Sequence, residues 1–105
     1  IQPVPPPASL SEIVGTWQGD TVRLVIDADG MMAHENNEGG TNTRFNAPVL
    51  AWTDGSFTAG IGPITQTFVI DSPPVQVGDR WTMTINNNAL TNEKKGILIT
   101  KARFF

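Results

Sequence analysis

His34 is the only histidine in this chain of 105 residues, and Glu35 and Glu38 stand close by, so metal or general-base chemistry would gather there. On a strand, His34 and Asn36 share a face while Glu35 points the other way, which makes an adjacent His/Glu metal pair poor geometry. Glu38 is better placed if the following turn folds back. The simpler reading is a surface histidine near a hairpin, carrying no metal. Asp27-Ala28-Asp29-Gly30 opens like a calcium loop but lacks the third oxygen ligand and the distal Glu, so it reads as a turn. Ser9, Ser11, Ser56 and Ser72 sit in cap or turn contexts, and none lies in a G-x-S-x-G elbow. No carboxylate pair stands out as an acid/base couple. Cysteine is absent, which removes disulfides, thiolate chemistry and Cys-ligated zinc together. No catalytic residue, metal site or cofactor pattern emerges, and the residues lean away from an enzyme.

What remains is aromatic and sulfur side chains held by strands. Trp52, Phe57, Phe68, Trp81 and Met83 fall where alternation points them to one side, so they either fill an interior or line an apolar pocket in it. Arg44 and His34 are the expected polar contacts at the mouth of such a pocket.

The elements that must position these residues are short strands. A hydrophobic fraction of 39% without a sustained charge run argues for one folded domain. Ten Gly and eight Pro imply many turns. No window approaches the length of an apolar membrane span. Residues 9–19, SLSEIVGTWQG, read as a polar cap, one helical turn and a strand entry, with Trp17 as a plug whose indole N–H finds a carbonyl. Alternation then predicts strands over residues 21–27, 31–36, 43–46, 49–53, 56–61, 64–71, 80–86, 89–93 and 96–104, with turns at Asp29-Gly30, Asp54-Gly55 and Asn87-Asn88. Pro63 must lie at an edge or bend, and Ser72-Pro73-Pro74 is expected to end its strand. Residues 1–8 form a Pro-rich arm, read as an extended spacer, and residues 9–105 form the domain.

Eight or so antiparallel strands joined by hairpins most economically form an all-β, up-and-down barrel, because closure removes unpaired edges; a two-sheet sandwich is the alternative. Gly15-Thr16-Trp17 behind a helical turn resembles the first-strand signature of the calycin superfamily, the lipocalins, avidins and fatty-acid-binding proteins. In lipocalins the resemblance implies an Arg from the last strand covering that Trp, and Arg103 stands where it would be expected. The chain lacks any Tyr, so a tyrosine ligand of the avidin type is not carried over, and the lipocalin Thr-Asp-Tyr motif is missing.

Net charge is −3, which gives nucleic acid no electrostatic footprint. All ten acidic residues lie at or before Glu93, opposed there only by Arg23, Arg44 and Arg80, while Lys94, Lys95, Lys101 and Arg103 close the chain. The last strand is expected to pair with acidic neighbours; a basic docking strip for an anionic partner is the alternative. The expected function is non-catalytic binding, with a small apolar molecule held in a calycin-like barrel. The alternative is a structural or protein-interaction module of the bacterial envelope, with a filled core, a homo-oligomer or envelope protein as partner, and no ligand. A start at Ile1 followed by a Pro-rich arm fits a periplasmic or extracellular protein whose signal or lipid-anchor segment has been removed, and leaves the cytoplasm open.

Overall fold

The computed structural model describes residues 3–92. A short 3-10 turn, η1 (Ala8–Ile13), leads into eight strands: β1 (Gly15–Gln18), β2 (Val22–Ile26), β3 (Met31–Glu38), β4 (Thr41–Trp52), β5 (Ser56–Ile61), β6 (Ile64–Val77), β7 (Arg80–Ile85) and β8 (Asn88–Asn92). They form one closed antiparallel barrel in chain order, β1 to β8. The sandwich alternative is thereby excluded. Closure between β1 and β8 is made at Gln18 opposite Thr91. The expected strand over residues 96–104, the basic residues Lys94, Lys95 and Lys101, and Arg103 lie outside the described residues.

Period two sets the faces. Val22, Leu24 and Ile26 on β2 are buried while Arg23 is exposed, and register carries the inward face across the neighbours: Leu24 opposes His34, which opposes Phe45. The core gathers Trp17, Leu24, Ile26, Val49, Phe57, Phe68, Met83 and Leu90, each at most 2% exposed. Complete burial of such side chains stabilises by about 1.5–3 kcal/mol each relative to exposure. Leu10 and Ile13 of η1 join the same core and close one end of the barrel. Trp17 is fully buried and its Nε1 donates to the Ile13 carbonyl at 2.8 Å. The plug expected of this tryptophan is therefore in place, with its one polar atom satisfied.

Several local expectations are corrected by long-range pairing. Residues 43–46 and 49–53 are one strand, β4, running through Pro48. Pro48 faces Met31, the first residue of β3, so its missing N–H falls where the ladder ends. A register shift between Val49 and Ala51 then turns Trp52 to the same side as Val49 despite a spacing of three. Ser72-Pro73-Pro74 does not end β6; two register shifts between Ile70 and Val75 absorb the prolines and the strand continues to Val77. The turn after β7 uses Asn86 and Asn87, not Asn87 and Asn88, both at positive φ (50° and 66°). The shift follows from β6: Asn86 exchanges bonds with Val69, donating its N–H to the Val69 carbonyl and accepting the Val69 N–H at its Oδ1, while Asn87 N–H donates to Asp71. At the β2–β3 turn the Asp27 carboxylate accepts the N–H groups of Asp29, Gly30 and Met31 at 2.9, 3.0 and 3.0 Å, leaving Gly30 alone at positive φ.

Within the arm, Val4 is bonded to the barrel. Beyond Pro48, β4 outgrows β3, and Val4 covers the exposed edge: its N–H donates to Val49 and its carbonyl accepts from Trp52 Nε1 at 2.7 Å. The Val4 backbone lies so close to Gly30 that a Cβ there would collide with it.

Candidate functional site

An eight-stranded barrel has an interior just wide enough to be filled by side chains or to hold one small ligand. Here the lumen is crossed by a row of rings. Trp52 and Phe57 oppose each other across β4 and β5 with centroids 5.0 Å apart. Phe57 and Phe68 stack across β5 and β6 at 5.1 Å, with planes 16° apart. His34 on β3 then meets Phe68 at 5.2 Å. β3 and β6 are not neighbours in the ring of strands, so this last contact spans the interior. Such aromatic pairs contribute about 0.5–1.5 kcal/mol each beyond the area they bury.

The residues expected to line a pocket divide accordingly. Phe57, Phe68 and Met83 are fully buried members of the core, and Trp52 and Trp81 are partly buried against it. His34 is half-buried on the inward face, and burial lowers its pKa below the ordinary 6.5, so the ring is held toward its neutral form. Arg44 is corrected: it stands on the outer face, its side chain 72% exposed, with Nε 3.3 Å from Glu35 Oε2. It is adjacent to Phe45, and alternation sends the two to opposite sides. Arg23, Glu35 and Arg44 form a row across β2, β3 and β4 on that outer surface. The Glu35 carboxyl is held below its usual value, first by the Asn42 side-chain amide and then by the Arg44 charge.

At the end of the barrel opposite η1, the β3–β4 and β5–β6 hairpins form a rim. Asn36 shares the inward face with His34, and its Oδ1 is buried with no hydrogen-bond partner. Glu38 lies exposed at the end of β3, and among the described residues no group of three or more His, Asp or Glu gathers in a way that would hold a metal.

The side of the rim that sequence reasoning passed over is the β5–β6 hairpin. Ile61 and Ile64 face each other next to its turn and are 58% and 65% exposed. By register they share the face of Ala59, Gln66 and Phe68, yet they lie beyond the packed core. Residues 55–70 contain no charged side chain at all, in a chain that is 16% charged. That charge-free run was the available signal; periodicity alone puts Ile61 on the face of Phe57 and Ala59. Comparison with known protein families, curated proteins and solved structures finds no match to the chain.

Proposed function

We propose that this protein is a non-catalytic interaction module: a solid barrel that works through its surface, with the β5–β6 hairpin as the contact face. The carrying observation is the row Trp52, Phe57, Phe68, His34, whose last contact reaches across the interior from β6 to β3. A calycin-like ancestry accords with this reading, supported by the η1 cap, the Gly15-Thr16-Trp17 entry and the strand order. Exposed isoleucines on an uncharged hairpin are the kind of apolar patch that soluble proteins reserve for a partner.

Thermal unfolding with saturating apolar ligands tests the reading. A lumen ligand at a hundred times its Kd would add about 2.7 kcal/mol of stability. The solid barrel gives no concentration-dependent rise in Tm, and a saturable rise overturns it. A second reading is a small apolar molecule with a donor group held at the rim, which the unpartnered Asn36 Oδ1 beside His34 favours. Asn36→Leu separates the two, since it would abolish a saturable rise caused by a rim ligand and would leave the surface reading untouched.

A further inference from the structure

We propose that the partner of the β5–β6 hairpin is a second copy of this chain, paired antiparallel through the open edge of β6 about a two-fold axis at Gln66. The inference rests on the interaction-module reading and names its partner.

The open edge follows from hydrogen-bond direction. Val69 turns its N–H and carbonyl away from β5, and both are taken by Asn86. Strand alternation points the main-chain groups of Thr67 and Thr65 to the same side. β7 begins its pairing with β6 only at Ile70, so among the described residues no strand pairs with the far edge of residues 64–68. Folded proteins guard such edges with charge, proline or a covering element. Residues 64–69, Ile-Thr-Gln-Thr-Phe-Val, carry neither charge nor proline.

Charge and symmetry select the second copy. Over residues 3–92 nine carboxylates face three arginines, so this part of two copies carries like net charge. The charge-free hairpin is where that repulsion is least. Antiparallel pairing about Gln66 sets Thr65 opposite the second copy's Thr67, and the reverse. Each such pair exchanges two main-chain bonds through the groups that point outward. The two Gln66 side chains meet on the axis, where amides can bond to each other, and the Thr side chains oppose one another on the other face, a favourable cross-strand pair. Ile61 and Ile64, on the Gln66 side, lose solvent in the process.

The test is light scattering on the full chain during size exclusion over a concentration series, with two variants. Thr65→Pro removes an N–H that faces the open edge, and Gln66→Lys brings two ammonium groups together on the axis; both sites are exposed, and each variant is checked for an unchanged circular dichroism spectrum. The expected result is a wild-type mass of twice 11.3 kDa, reduced to the single mass in both variants. A monomeric wild type overturns the pairing, and so does a dimer that persists in both variants. The outcome is separable from the parent reading, which falls only if an apolar ligand raises the Tm.

Discussion

Phe68→Ala removes the ring on which the solid interior turns. Phe68 is fully buried, stacked on Phe57 at 5.1 Å and touched by His34 at 5.2 Å from across the lumen. Truncating a core Phe costs about 3–5 kcal/mol, more where the site cannot collapse into the space. Here Phe68 is buried between Phe57 and His34, and both ring contacts vanish with the side chain. The upper half of that range is expected. With a urea m-value on the order of 1–1.5 kcal/mol/M for a small domain, the midpoint falls by about 3–5 M. The assay is urea unfolding followed by far-ultraviolet circular dichroism, with tryptophan fluorescence as the second probe, because Trp52 sits against Phe57. Phe68→Leu supplies the graded comparison should the alanine variant fail to fold, and it should lose less. A loss below about 1 kcal/mol with an unchanged m-value would refute the reasoning, because no filled lumen releases a central ring that cheaply.

Trp17→Ala is expected to cost about 3–5 kcal/mol, whereas Trp17→Phe keeps most of the packing and loses the bond to Ile13, about 1 kcal/mol; chemical unfolding of both separates plug from hydrogen bond. Deleting residues 1–7 should lower stability by about 1–3 kcal/mol, from the two Val4 bonds at 0.5–1.5 each, and Gly30→Ala should speed hydrogen exchange at the Val4 amide and the Trp52 indole by displacing Val4. Acidification should destabilise the fold in two steps. His34 has a folded pKa below 6.5, so the unfolded chain takes up its proton first; this share of stability is complete above about pH 7 and declines as pH falls through 6.5 towards the folded value. Glu35, held below 4.5, adds its own loss as pH drops further. His34→Phe should flatten the first step alone in a pH series of thermal melts.

Sequence patterning carried the all-β character, the inward face and the Trp17 plug, because each depends on local alternation or on a residue and its neighbour one turn away. It failed where the deciding partner is distant. Pro48 reads as a break until Met31 is seen to end β3 opposite it. Trp52 reaches the interior only through the irregularity at Leu50, which a strict period of two does not register. Arg44 is expected at the mouth, yet its parity on β4, opposite to that of Phe45, sends it outside to Glu35. Val4 was read as spacer because polyproline composition says nothing of the β4 edge it covers. Ile61 and Ile64 alternate as core residues do, and only the end of β7 pairing at Ile85 reveals that the wall stops short of them. The ring contact between His34 and Phe68 joins two strands three places apart in the barrel, a distance no local pattern spans.

The solid interior is tested most directly by methyl-detected nuclear magnetic resonance of the full chain titrated with benzene and with octanol. Leu24, Ile26, Met83 and Leu90 line the buried core and report on any entry into it. Their methyl signals should show no saturable shift in the wild type, while Phe68→Ala, if folded, should show one as its cavity takes up the smaller probe. Saturable shifts of those methyls in the wild type would mean an accommodating lumen and would contradict the account.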